Sequence, residues 1–328
     1  MERLVIFGDA HLFCTRILIQ EIFRIMKERK DIRLVGVIDT ARSISQIKIK
    51  RIFHFLIGNI ATKIFNPELE FPIRTTSTLN LYDICKKFNV KVIIPKRRDI
   101  NNQEFVNYLR DHLRPTLGLS IGCLQIFEKP VIDIFEMLVN YHDGLLPKYR
   151  GLSATKWSCY LNEKSTGFTY HLINQAIDDG NMLIQDAVPI PESISFYELE
   201  YRKTVRASKH LEVVLDLMLN RSGGIEQKGL KTYFGKKDFE AITTINNPSQ
   251  LTFDETDRRL HSFGALRFNI NGKYHNITKF KKIASSRKND SKSYFATKDN
   301  VMIQPTRISY LPIILYKFYQ FILKLFKK

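Results

Sequence analysis

Over its first 220 residues the chain alternates between short unbroken apolar runs and longer stretches with helical spacing. Residues 4–8 are an apolar run closed by glycine, and from about 15 to 27 the side chains of Ile19, Ile22, Phe23 and Met26 share one side of a helix. Residues 32–38 form a second run with β-branched content. An unbroken run is what a strand buried on both faces requires, so these three segments predict a βαβ unit. The rhythm resumes after Pro67 and Pro72 with helices over 81–88 and 103–112 and strands over 90–95, 116–121 and 137–141. A helix over 154–160, strands over 167–173 and 182–190, and a helix over 195–219 follow, the last with Leu199, Leu211, Val214, Leu215 and Met218 as its buried stripe. Repeated units of this size predict an α/β fold with a mostly parallel, doubly wound sheet, and such sheets bind ligands at the carboxyl ends of their strands.

Three segments break the rhythm. Residues 44–65 are basic at their start and then rich in Ile and Phe; helical spacing puts Ile52, Phe55, Leu56, Ile60 and Ile64 on one face, read as a helix packed on the sheet or a partner ahead of membrane contact. After Ser222-Gly223-Gly224 the pattern changes to short alternating runs with turn signals, Asn271-Gly272 being a strong hairpin signal, with one short helix over 255–262. Residues 308–328 are apolar and aromatic with interspersed lysines, and Pro312 and Lys317 argue against a spanning helix. The segment suits a membrane interface, a hydrophobic groove, or docking on its own domain. The expected division is a catalytic domain over 1–224, a small, mostly β domain over 225–305 and an apolar, basic tail over 306–328.

Composition adds two constraints. The formal charge is +18, and residues 271–328 hold thirteen Lys and Arg against Asp290 and Asp299, so eleven of those charges lie there. A solvated basic face is the default reading, and an anionic surface met by this end is the sharper one. Four cysteines, Cys14, Cys85, Cys123 and Cys159, stand far apart without metal spacing, which predicts free thiols and no metal site. The start, MERLVIFGDA, reads as a first strand and not a signal peptide, giving a cytoplasmic expectation, with peripheral membrane contact through the tail as a further possibility.

Candidate chemistry centres on residues 138–186. Asn140 and His142 end an apolar run, and Asp178 and Asp179 follow 36 and 37 positions after the histidine. A carboxamide and an imidazole can polarise a carbonyl and hold the charge that develops on its oxygen, while a carboxylate orients the imidazole and takes a proton. Ser153, Ser158 and Cys159 lack a nucleophile context, so attack by a substrate amine is the simpler scheme. On residue types alone, an isolated Asn-x-His and an acidic pair occur often by chance.

The ordered pattern goes further. Asn140-Tyr141-His142, Leu145 to Gly151 (LLPKYRG), Trp157, Thr166-Gly167, His171 and Ile177 to Gln185 (IDDGNMLIQ) together closely resemble the formyltransferases that use 10-formyltetrahydrofolate. Members act on methionyl-tRNA, glycinamide ribonucleotide, nucleotide-linked amino sugars and carrier-bound amines. The resemblance implies a Rossmann-like catalytic domain in which Asn140 donates to the formyl oxygen and His142 stabilises the tetrahedral intermediate and passes protons. Asp178 sets the charge of the histidine and takes the amine proton through water; Asp179, next to it, leaves the choice between the two aspartates open. It also places the folate along residues 122–127, with Leu124, Gln125 and Phe127, and near Asp178, no metal being required. One departure is Gly144, where relatives carry serine ahead of Leu-Leu-Pro.

On the acceptor, 252–263 (TFDETDRRLHSF) is similar to the opening of the family's C-terminal domain. The Thr-x-Pro-Asp and Gly-Arg-Gly elements of methionyl-tRNA formyltransferases are missing, and Val37-Ile38-Asp39-Thr40 stands in their place. A nucleotide-linked amino sugar is therefore the expected acceptor, methionyl-tRNA the alternative, and a degenerate ligand-binding or membrane-associated member a second alternative. A homo-oligomer is expected, though no residue pattern derives it.

Overall fold

The computed structural model describes residues 1–10, 12–41, 81–192, 194, 196–270, 272–283 and 295–309. The expected helix over 44–65 and the tail from 310 onward lie outside them. Contacts divide the chain into two compact units that are not contiguous in sequence: Met1–Gly151, Ser165–Ile190 and Tyr197–Tyr233 form one, and Leu152–Lys164, Pro191–Phe196 and Phe234–Lys328 the other.

The first unit is built on a seven-stranded sheet in the order β3-β2-β1-β4-β5-β7-β8. Its strands are β1 (Glu2–Gly8), β2 (Ile32–Asp39), β3 (Val92–Ile93), β4 (Leu117–Ile121), β5 (Met137–His142), β7 (Ser165–Leu172) and β8 (Met182–Pro189). Pairing is parallel from β3 to β5 and antiparallel for β5–β7 and β7–β8. The chain between β7 and β8 carries no helix and is too short for a parallel crossover, so that pair has to run antiparallel. Alternation explains the unbroken apolar code of β1. Leu4 and Ile6 enter one core with Leu18, Ile19 and Ile22 of α1 (Phe13–Met26), whereas Val5 and Phe7 enter another with Phe105, Val106 and Val131.

Around the sheet lie α2 (Leu81–Lys87), α3 (Gln103–Tyr108) and the short α4 (Lys129–Ile132). Three expectations are corrected. The strand expected over 90–95 shrinks to β3. The helix expected over 103–112 is α-helical only to Tyr108, then widens into a π turn closed by Arg114 in the left-handed region at φ 44°. The helix expected over 195–219 is two helices. After α5 (Ala154–Tyr160) come α6 (Phe196–Ser208) and α7 (Leu211–Leu219), broken where Ser208 Oγ donates to Val205 O and His210 Nε2 bonds Asp186. The anticipated stripe Leu199, Leu211, Val214, Leu215 and Met218 is fully buried across both.

Two-residue strands β6 (Arg150–Gly151) and β9 (Tyr233–Phe234) pair with each other. In the second unit α8 (Lys236–Thr243) leads into a five-stranded sheet, order β10-β11-β12-β14-β13. Its strands are β10 (Thr244–Ile245), β11 (Leu266–Ile270), β12 (Lys273–Ile283), β13 (Phe295–Ala296) and β14 (Met302–Ser309). β11 and β12 pair antiparallel from Ile270 opposite Lys273, as the hairpin signal leads one to expect, and Asn271 itself lies outside the described residues. Residues 306–309 belong to β14, so the sheet runs into what the pattern assigned to the tail. The short helix expected over 255–262 is α9 (Phe253–Phe263), capped by Thr252 Oγ accepting from Glu255 N and closed by Gly264 at φ 77°. Among the described residues no helix is long and apolar enough to cross a membrane.

Candidate active site

Extended chain returns a side chain to the same face every second residue, and residues paired across strands share a face. In β5, Val139 and Tyr141 enter the core packed against α1 and α7, which turns Asn140 and His142 to the opposite face. In β7, Phe168 and Tyr170 do the same and leave Thr169 and His171 beside them. The register pairs Asn140 with His171 and His142 with Thr169, and β8 adds Gln185 opposite Thr169. Five polar side chains thus share one face at the carboxyl end of β5.

The carboxylate arrives from the loop between β7 and β8. Asp178 adopts φ 50°, a conformation that aspartate tolerates better than most residues. Its Oδ2 lies 3.5 Å from His142 Nδ1 and its Oδ1 3.5 Å from His171 Nε2, and Gly151 N–H donates to Oδ2 at 2.8 Å. Burial pushes the Asp178 carboxyl up, but the facing His142 ring and the Gly151 amide outweigh it. The group is held well below the usual carboxylate range. Asp179 turns away and pairs with Arg150 and Lys231, so Asp178 is the aspartate that faces the imidazoles.

Each ring is oriented by a backbone carbonyl, which can only accept. His142 Nε2 therefore donates to Tyr149 O at 2.8 Å, leaving Nδ1 toward Asp178. His171 Nδ1 donates to Leu172 O at 2.9 Å, leaving Nε2 to accept from the Asn140 amide at 3.1 Å. One amide hydrogen of Asn140 is spent on His171 and the other remains for a carbonyl oxygen.

The loop after His142 is pinned on several sides. Thr169 Oγ donates to Gly144 O at 2.7 Å and accepts from Leu146 N at 3.2 Å, while Gln185 Nε2 donates to Leu146 O at 2.8 Å. The fully buried Lys203 donates to Asp143 O. The turn is held by Thr169, Gln185 and Lys203, so a glycine at 144 leaves it intact.

Residues 122–127 follow β4 on the same edge of the sheet. Gln125 Nε2 donates to Thr40 O at 2.8 Å and Arg98 O at 3.0 Å, and its Oε1 accepts from Ile100 N at 3.2 Å. Phe127 packs edge-on against Phe7 with ring centres 5.0 Å apart. Both side chains are committed to the fold, so what they present to a ligand is backbone on a rigid loop. Leu124 and Ile126 stay exposed, 54% and 60%, as an apolar ledge. Among the described residues no group of His, Cys, Asp and Glu is arranged to hold a metal.

Sequence reasoning gave no role to Thr169, Gln185, Arg150, Gln227 or the carbonyl of Tyr149, and named His171 only as part of the pattern. The two-residue spacing of Thr169 and His171 in a strand is a usable signal; the side-chain to backbone bonds of Gln185 and Gln227 leave none.

An α/β domain with an amide, two imidazoles and a carboxylate at the carboxyl end of its sheet has the makings of an acyl-group transferase. Residues 75–215 match the family model described as formyl transferase. The chain is 34% identical over 126 residues to the bifunctional polymyxin resistance protein ArnA of Wigglesworthia glossinidia brevipalpis, covering 38% of this chain and 19% of that one. It is 32% identical over 99 residues to a GDP-perosamine N-formyltransferase of Brucella melitensis, covering 30% and 38%, and 29% identical over 176 residues to a methionyl-tRNA formyltransferase of Clostridium beijerinckii, covering 50% and 54%. It thus spans about a fifth to a half of these relatives. The fold is shared with a sugar N-formyltransferase from a Shewanella species, with a TM-score of 0.61, 20% identity and 85% and 97% of the two chains covered. It is shared also with the Helicobacter canadensis N-formyltransferase solved with folinic acid and dTDP-3-aminofucose, at TM-score 0.57, 17% identity and 93% and 99% coverage.

Proposed function

We propose that this protein transfers a formyl group from 10-formyltetrahydrofolate to a primary amine on a nucleotide-linked amino sugar. The observation that carries the reading is the convergence of Asn140, His142 and Asp178 on one face, with Asp178 buried against both imidazoles. The acceptor nitrogen adds to the donor's formyl carbon, and collapse of the tetrahedral adduct then breaks the bond from that carbon to the folate nitrogen. A flat, partly apolar ring fits the ledge of Leu124 and Ile126 and the fixed backbone of 122–127.

The protein's own groups then divide the work. The second amide hydrogen of Asn140 donates to the formyl oxygen, where negative charge develops. His142 can carry a second proton on Nδ1 with Asp178 as its counter-ion, which adds positive charge beside that oxygen. Asp178, kept ionised by its surroundings, holds His142 while the proton lost by the acceptor amine passes by way of water and the imidazole to the folate nitrogen that leaves.

Support for the amino sugar comes from the relatives and solved structures named for sugar substrates. The surplus of basic residues over 271–328 favours methionyl-tRNA as a second reading. Donor consumption in the presence of a panel of amino-sugar nucleotides and of initiator methionyl-tRNA separates the two. Turnover with a sugar nucleotide and none with the charged tRNA is expected; the reverse overturns the acceptor assignment.

A further inference from the structure

Residues 225–232 cross behind both loops that bracket His142. Ile225 exchanges two backbone bonds with Met182, each at 2.8 Å, beside the Asp178 turn. At the other end Thr232 N donates to Pro147 O at 3.3 Å, Tyr149 N donates to Thr232 Oγ at 2.8 Å, and Arg150 N donates to Thr232 O at 2.9 Å. Between these anchors Gln227 is buried to 5% exposure, and its amide donates to Asp178 O at 2.9 Å and Gly180 O at 2.8 Å. Its Oε1 accepts from Arg150 Nη2 at 2.6 Å, and Arg150 in turn pairs with Asp179.

We propose that Gln227 is a positioning residue for the His142–Asp178 pair, held by Arg150 and setting the turn that aims the Asp178 carboxylate. The inference rests on the reading that this pair moves the proton in formyl transfer. The physical case is one of geometry. Asp178 sits at φ 50°, in a region that its own side chain stabilises only weakly, so its orientation depends on what its neighbours fix. Gln227 fixes the carbonyls of residues 178 and 180, on both sides of the turn, and Gly151 N fixes the carboxylate itself. The same strap, through Thr232, holds Tyr149, whose carbonyl orients the other nitrogen of His142. One segment therefore sets both nitrogens of the imidazole. A carboxylate displaced by a fraction of an ångström no longer faces Nδ1, and misplacement on the 1 Å scale costs about 100-fold in rate.

Gln227→Met and Gln227→Glu form the test. Met keeps the volume and loses all three bonds; Glu keeps the acceptor for Arg150 and loses both donors. We expect kcat to fall ~10- to 100-fold in each with KM for donor and acceptor little changed. The ring 1H–15N correlations of His142 and His171 should move, assigned with His142→Gln and His171→Gln. Gln227→Asn, which keeps the donors on a shorter arm, should recover part of both signals. Unmoved ring correlations in folded Gln227→Met and Gln227→Glu overturn the proposal, as does a loss of thermal stability with unchanged kcat. If the wild-type protein formylates no amine at all, the functional reading fails by itself, and the ring correlations still decide whether Gln227 aims Asp178.

Discussion

What Asn140, His142 and Asp178 can do is set by three neighbours that fix them: His171 turns the amide, the Tyr149 carbonyl turns the imidazole, and the Gly151 amide holds the carboxylate. Asn140→Ala should lower kcat by roughly 100-fold with a small change in KM, since its donated bond strengthens only as charge develops on the formyl oxygen. Asp178 carries a pH prediction. The native state holds its carboxyl below the value of 3.8 that describes an unperturbed aspartate, so on acidification protons bind the unfolded chain first. The stability it contributes is intact above that value and is lost as the pH falls through the native one. Thermal melts between about pH 6 and pH 3 should therefore show a smaller acid loss in Asp178→Asn than in the wild type. Equal acid slopes would refute the lowering of the Asp178 carboxyl. At this scale the sequence was only partly legible. Asn140 and His142 were readable from a strand end and the resemblance pointed to Asp178, but residue type alone does not separate it from Asp179; in the fold one faces the imidazoles and the other Arg150.

The elements were the most legible part, because periods of two and of 3.6 residues are written directly into the apolar pattern. The breaks were not: α6 and α7 read as one helix, since their buried stripe is continuous and the His210–Asp186 bond that accompanies the break joins residues 24 apart. Two glycines make opposite predictions. A Cβ on Gly180 would meet Leu172 O at 1.9 Å, a backbone atom of β7 that cannot move away without breaking the sheet edge. Gly180→Ala should destabilise by about 3 kcal/mol or more, in the upper range for overpacking, and abolish activity with the displaced Asp178 turn. Gly272, at φ 78° in the β11–β12 turn, has nothing within 4 Å of such a Cβ. Gly272→Ala should cost only the left-handed backbone penalty, about 1–2 kcal/mol, and leave kcat unchanged. Denaturant melts with parallel rate measurements check both. A Gly180→Ala protein with wild-type stability would contradict the packing described.

For the whole molecule, the α/β class and its seven-stranded sheet followed from repeated strand and helix segments, and the small β unit from Asn271-Gly272. The assignment of 152–164 and 191–196 to the second compact unit was not legible, because membership of a unit depends on contacts far apart in sequence; Trp157, for example, stacks on Phe234 at 4.1 Å. The charge of +18 belongs to this scale as well. It predicts retention on polyanionic matrices that falls with salt for any polyanion alike. Binding to tRNA no stronger than to random RNA at physiological salt would identify that affinity as general and leave the small amine as the acceptor.

Formyl transfer through His142 and Asp178 is tested most directly by mass-resolved product formation from 10-formyltetrahydrofolate and an amino-sugar nucleotide. A product heavier by one formyl group, formed together with donor consumption, is expected, with loss of both in His142→Ala and in Asp178→Asn. Product formation undiminished in folded His142→Ala would contradict it.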